Sequence, residues 1–149
     1  MKKFFILAAV SLLTIAASAE VIPANDSRIT YVGRTQVIDN SVSFDWTATY
    51  FRIAFSGTSL TMRASDTKWD ATPEMAAKRH NYYNVWIDSP TSAEPHRIIE
   101  VSGNDTVIEL IDPAYLKKSR RSVHEVIVQK RTEGEQGKTT IHSFATDGK

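Results

Sequence analysis

Tyr50-Phe51-Arg52-Ile53-Ala54-Phe55-Ser56-Gly57-Thr58-Ser59-Leu60-Thr61-Met62-Arg63-Ala64 decides the fold class. Phe51, Ile53 and Phe55 fall on one face, with Tyr50, Arg52 and Ala54 opposite. Leu60, Met62 and Ala64 repeat that spacing after the break at Ser56-Gly57-Thr58. A period of two puts these residues on half-buried antiparallel strands. Turn residues between two such runs predict a hairpin loop.

Working outward, the same texture recurs. Tyr83, Val85 and Ile87 share a face opposite Tyr82, Asn84, Trp86 and Asp88. The full set of expected strands is 29–32, 35–38, 42–46, 50–55, 59–64, 82–88, 97–101, 106–111, 123–130 and 139–144. All are rich in β-branched and aromatic residues. Short strands with frequent turn signals, and no long helical period, predict an all-β antiparallel sandwich of jelly-roll type. Two stretches interrupt the pattern. Asp66–His80 holds Pro73 and the run Glu74-Met75-Ala76-Ala77-Lys78, which predicts a long loop with one helical turn. Asp112–Ser122 holds Pro113 and the basic run Lys117-Lys118-Ser119-Arg120-Arg121, for which a solvated loop is the simplest reading.

The amino terminus reads as an export signal. Lys2 and Lys3 precede an apolar run from Phe4 to Ile15, and Ala17-Ser18-Ala19 has the A-x-A form. The run is shorter than the roughly 20 residues a permanent span needs. Residues 1–19 are therefore expected to be a signal peptide, 20–28 a flexible lead-in, and 29–149 the sandwich domain. The destination expected is periplasmic or secreted, in a bacterium, without a membrane anchor. Cleavage would remove Lys2 and Lys3 and take the formal net charge from +1 to −1. That argues against a nucleic-acid partner. With no cysteine in the chain, disulfides, thiolate metal sites and cysteine nucleophiles are excluded. Asn25-Asp26-Ser27 and Asn104-Asp105-Thr106 fit the glycosylation sequon, which matters only in a host that reads it.

Reactive constellations do not emerge. No G-x-S-x-G elbow occurs; Ser56 and Ser102 each precede a glycine and read as turn residues. The carboxylates are scattered, so no pair stands out for acid–base work. His80, His96, His124 and His142 lack H-E-x-x-H or other ligand spacing. His124 shares a face with Val126 and Val128 and reads as a core or edge histidine with a hydrogen-bond partner. No glycine-rich phosphate loop appears. No catalytic residue, metal site or cofactor is expected. The aromatic face of 82–88 offers the one binding hypothesis. Tyr82 and Trp86, with Trp69 just before them, could stack on sugar C–H faces while Asn84 and Asp88 bond hydroxyls; alternatively, these rings cover a second core.

Several strings, in order, resemble a known family. They are Gly33-Arg34-Thr35, Val42-Ser43-Phe44-Asp45-Trp46, Ile53 to Leu60, Tyr83-Asn84-Val85-Trp86-Ile87-Asp88 and His124 to Glu133, with Lys130-Arg131-Thr132-Glu133 the most specific. Together they resemble the N-terminal jelly-roll domain of carbohydrate esterase family 2, from about Ile29 to the end of the chain. The segment Asp112–Ser122 is longer than the family's usual connection. The resemblance implies secreted bacterial enzymes of the acetylxylan esterase type, which deacetylate plant polysaccharides or sugars. In them an SGNH-type hydrolase domain follows the jelly roll. Its Gly-Asp-Ser motif is absent here, so no catalytic residue carries over. The chain's last residues fall about where the linker to the hydrolase would begin. The expected role is a non-catalytic accessory domain that packs against such a hydrolase, downstream or separate, and shapes binding of a plant polysaccharide or acetylated sugar. The alternative is a stand-alone carbohydrate-binding module.

Overall fold

The computed structural model describes residues 19–68 and 72–148. Among the described residues eleven strands form: β1 (Glu20–Pro23), β2 (Ile29–Val32), β3 (Gln36–Ile38), β4 (Ser41–Phe44), β5 (Tyr50–Phe55), β6 (Leu60–Thr67), β7 (Asn81–Ile87), β8 (Arg97–Val101), β9 (Thr106–Glu109), β10 (His124–Lys130) and β11 (Lys138–Thr146). Two short helices, α1 (Pro73–Lys78) and α2 (Pro113–Leu116), and a single 3₁₀ turn at Gly134–Gln136 complete the elements. One antiparallel sheet runs β3-β4-β11-β6-β9, with β1 also on β11; the other runs β2-β5-β10-β7-β8. Only β3–β4 and β7–β8 are sequential strands that pair. Every other connection crosses between sheets, so the expected antiparallel β-sandwich of jelly-roll type is what forms.

Alternation explains the core. Phe51, Ile53 and Phe55 from one sheet meet Leu60, Met62, Ala64 and Phe144 from the other, all buried. Phe51 and Phe144 pack edge-on at 5.2 Å between ring centroids, and Phe44 meets Tyr83 the same way at 6.2 Å. Such pairs add specific geometry to the area they bury. Tyr83 Oη donates to Thr139 Oγ1 at 2.5 Å, a hydrogen bond that joins the two sheets. In β11 the register shifts between Ile141 and Ser143. This bulge keeps both Ile141 and Phe144 in the core, which strict alternation forbids.

Two expectations need correcting. Ser56-Gly57-Thr58 is not a hairpin loop. β5 pairs with β2 and β10, while β6 pairs with β11 and β9, so the turn arches from one sheet to the other. The distant Asp147 secures it. Its Oδ1 accepts the Thr58 amide at 2.7 Å and the Ser59 amide at 2.9 Å, and its Oδ2 accepts the Thr58 hydroxyl. Gly57 takes φ 111°, and a Cβ there would lie 2.6 Å from the Gly148 nitrogen. Both constraints require glycine.

The second correction concerns residues 20–28, expected to be a flexible lead-in. Glu20–Pro23 pairs with Ser143–Thr146, Ile22 and Ala24 are buried in the core, and Arg28 bonds Asp26 and Glu20. Burying Ile22 and Ala24 offsets the entropy of ordering this segment. The proposed signal peptide lies, apart from Ala19, outside the described residues.

Candidate functional site

The outer face of the five-stranded sheet holds most of the residues expected to bind. β7 pairs with β10, which pairs with β5, so side chains line up in rows: Trp86–Ile127–Arg52 and Asn84–Gln129–Tyr50. Asp88 closes the strand. It takes φ 52°, a left-handed conformation that Asp tolerates better than most residues. Its carboxylate accepts His124 Nδ1 at 2.7 Å and the Glu125 amide at 2.9 Å. These bonds pin the turn that sends 89–96 back over the sheet, where His96 Nδ1 accepts the Ile87 amide at 3.2 Å.

That loop changes the standing of the aromatic face. Trp86 is only 3% exposed, and its indole N–H donates to the Ala93 carbonyl at 2.8 Å. Its ring is enclosed and offers no stacking face. Tyr82 remains 38% exposed and stacks on His80 at 6.0 Å. Asn84 is half-buried, and its Oδ1 is enclosed without a hydrogen-bond partner. Trp69 lies outside the described residues. Tyr82, Asn84, Trp86 and Asp88 thus share one strand, but no single open surface displays all four.

The open surface lies one strand over. A groove of about 400 Å³ has a floor of Tyr50, Arg52, Glu125, Ile127 and Gln129, with Ser89, Pro90, Thr91 and Arg121 at its side. Arg52 sits 3.8 Å from Glu125, and Arg121 sits 3.8 Å from Asp88. The same alternation that gave the core also placed Tyr50, Arg52, Glu125 and Gln129 outward. Only the strand register brings them together.

Two histidines also sit among polar partners. On the six-stranded sheet, His142 meets Ser41 through Nδ1 at 3.2 Å and Ser65 through Nε2 at 3.0 Å. A serine–histidine relay needs an acid on the second ring nitrogen; a second hydroxyl occupies that place. His124 has its acid, Asp88, and is 4% exposed, as expected of a core histidine with a partner. Among the described residues no group of three or more His, Asp or Glu could hold a metal ion.

The Lys130-Arg131-Thr132-Glu133 string has a structural explanation. Lys130 lies on the inward face of β10 and is 1% exposed. Its ammonium donates to Asn81 Oδ1 at 2.6 Å and, at 3.1 Å each, to Thr132 O, Thr132 Oγ1 and Glu133 O. Asn81 in turn donates to the buried Asp66 at 2.7 Å, which also pairs with Lys68. Burial pushes the Lys130 amine down to about 8, against the opposing pull of Asp66, Asp45 and Glu133. Thr47 ties Glu133 and Thr132 to the neighbouring loop, where Arg34 stacks on the exposed Trp46 at 4.3 Å. Two of the family-like regions, 34–46 and 130–133, therefore meet at one end of the sandwich, while Ile53–Leu60 lies at the other.

The two sheets, the polar groove on one of them and the lysine knot at one end make up a single antiparallel jelly-roll sandwich. The carbohydrate esterase 2 N-terminal family model matches residues 31–149, and the chain belongs to that family. A comparison with curated protein sequences gives no match. Among solved structures, a family two carbohydrate esterase from Cellvibrio japonicus superposes with TM-score 0.68 at 21% identity, over 89% of this chain and 34% of that one. An acetyl xylan esterase from the rumen bacterium Butyrivibrio proteoclasticus gives TM-score 0.63 at 11% identity, over 89% and 32%. The CBM36-1 domain of a multidomain xylanase from the hindgut metagenome of Trinervitermes trinervoides gives 0.56 at 13%, over 86% of this chain and 95% of that one. The chain spans about a third of the length of the two esterases, and these likenesses establish the fold.

Proposed function

We propose that this chain is the accessory sandwich of an exported carbohydrate O-acetyl esterase. In this reading it packs against an SGNH-type hydrolase domain, encoded downstream or separately, and extends the surface over which an acetylated plant polysaccharide is held. The observation that carries the reading is the family match over 31–149, in a chain about a third as long as the esterases it superposes on. Lys2-Lys3, the apolar run and Ala17-Ser18-Ala19 support export through a cleaved signal peptide, to the periplasm or outside the cell.

The test has two parts. Sequencing past codon 149 is expected to find a continuing frame, or a neighbouring gene, with a Gly-Asp-Ser motif. The purified chain is expected to co-elute with that hydrolase and to release no acetate by itself from acetylated xylan or a chromogenic acetate ester. Robust turnover by the chain alone overturns the reading. The second reading, a stand-alone carbohydrate-binding module, is favoured by the superposition over 95% of the CBM36-1 domain of a multidomain xylanase. Saturable xylan-fragment binding, with no hydrolase in either place, would select it.

A further inference from the structure

We infer that the groove between Tyr50, Arg52, Gln129 and the 89–91 turn is a binding subsite for a neutral, hydroxyl-rich saccharide chain. The inference rests on the glycan part of the proposed function and moves the contact surface from the Tyr82–Trp86 face to the β5–β10 face.

Three observations carry it. First, the charges cancel. Arg52 and Arg121 face Glu125 and Asp88 across the groove, so a charged ligand gains little net attraction. Guanidinium, carboxylate and amide groups together instead offer donors and acceptors in alternation, the pattern that vicinal hydroxyls match.

Second, Arg52, Arg121 and Glu125 have bonding capacity to spare, while Asp88 is already taken up by His124 and the Glu125 amide. The two ion pairs at the groove stand at 3.8 Å, beyond hydrogen-bond length. Elsewhere on the molecule Arg28–Glu20 closes to 2.7 Å and Arg63–Asp105 to 2.6 Å. Ser89, at the groove's side, buries a hydroxyl with no partner. An enclosed polar atom left unpaired is costly, so the turn at the groove's side is not fully satisfied by the protein itself.

Third, the shape and the apolar content fit. A groove near 400 Å³ is within the range of small-ligand sites. Its floor puts the Tyr50 ring and Ile127 among the polar groups, so sugar C–H faces have apolar surface to cover while the ring edges meet Gln129 and Arg52. The groove wall is also rigid, because the Asp88 carboxylate holds the turn on two sides, and a preformed wall lowers the ordering cost of binding.

The experiment is calorimetric titration of the purified chain with xylohexaose and cellohexaose, both neutral, and with hexagalacturonate, which is anionic. At least one neutral hexaose is expected to bind saturably at millimolar concentration, and the anionic chain more weakly. Tyr50→Ala and Gln129→Ala, both at the surface, are each expected to weaken binding about tenfold. Val107→Ala, exposed on β9 of the other sheet, is expected to leave it unchanged. Loss in Tyr82→Ala with none in Gln129→Ala would overturn the assignment and return the site to β7. Preference for hexagalacturonate, or no saturable binding, would also overturn it. Co-elution with the hydrolase, measured on the same variants, keeps the two proposals apart. Docking without a hexaose response removes the groove alone, and a hexaose response without docking removes the accessory role alone.

Discussion

The two faces of β10 put polar groups to opposite uses. Inward, Lys130 ends the series His124, Val126, Val128 and is closed in by four oxygen acceptors between 2.6 and 3.1 Å away. Outward, Glu125 and Gln129 border a groove whose ion pairs stand at 3.8 Å and whose side buries an unpartnered hydroxyl. A closed network fixes geometry, and an open one is available to a ligand. Lys130-Arg131-Thr132-Glu133, the string read from the sequence as most specific to the family, belongs mainly to the closed side. The string therefore identifies a fold and carries no statement about chemistry. Residues open to a ligand are to be sought on the outward face, among Tyr50, Arg52 and Gln129.

The strongest way to break the comparison is Lys130→Met. The substitution keeps the length of the stem and removes the cation, leaving the buried Asn81 Oδ1 to the Thr132 hydroxyl, Thr132 O and Glu133 O without the ammonium, and Asp66 with Lys68 as its remaining cation. Removing one partner from a buried charged network costs about 3–5 kcal/mol. Thermal unfolding should fall by on the order of 10 °C or more for a domain of this size. A fall of only a degree or two would mean that the knot does not hold the fold.

The pH dependence sharpens that measurement. Lys130 releases its proton at about 8 when folded, against 10.5 for the free side chain. Between those values the unfolded chain binds more protons, so this residue's contribution to stability rises with pH. Below pH 8 the cost of burying the charge is present in full. The stability gap between wild type and Lys130→Met should therefore widen from pH 7.5 to 9.5. Burial raises the hydroxyls of Tyr31 and Tyr83; that stabilisation is lost as pH rises further, which makes pH 9.5 the useful upper limit. A gap that stays constant or narrows across the window would contradict the buried-ammonium assignment.

These residues also mark how far the sequence could be read. Phe51, Ile53 and Phe55 announce a strand because a period of two is a local property, and the other expected strands followed for the same reason. Whether Ser56-Gly57-Thr58 is a hairpin or an arch is not local. Both keep the apolar faces on one core, and the deciding carboxylate, Asp147, lies 89 residues from Thr58. Glu20–Pro23 shows no alternation, and only its partner Ser143–Thr146 makes it a strand. Trp86 was correctly placed opposite Val85 and Ile87, yet the loop that buries it depends on the left-handed turn at Asp88. Lys130 was within reach: counting on by twos from His124, Val126 and Val128 puts it inward. The groove was not, because Tyr50, Arg52, Glu125 and Gln129 meet only through strand register.

A middle-sized effect should come from Asp88→Ala, which joins the two sides of the comparison. Alanine at φ 52° lacks the local bonding that lets aspartate accept this conformation, and the His124 and Glu125 donors lose their acceptor. The expected loss is about 2–3 kcal/mol. Asp88→Asn, which tolerates the same φ and keeps one acceptor oxygen, should recover about half of it. Equal unfolding temperatures for the two variants would show that the carboxylate clamp does not anchor the turn.

The smallest effect belongs to the outward ion pair, and its smallness is the informative result. Arg52 and Glu125 are each about half exposed, with side-chain values of 46% and 47%, and stand 3.8 Å apart. At that exposure water screens the attraction, and the pair should contribute a coupling of about 0.5 kcal/mol or less. A double-mutant cycle of Arg52→Ala and Glu125→Ala on chemical denaturation measures it directly. Near-zero coupling means that the guanidinium and carboxylate are held apart at little gain to the fold, and both stay free to meet a ligand. A coupling above about 1 kcal/mol would make the pair a closed structural contact like those of Lys130. The difference between the two faces of β10 would then disappear.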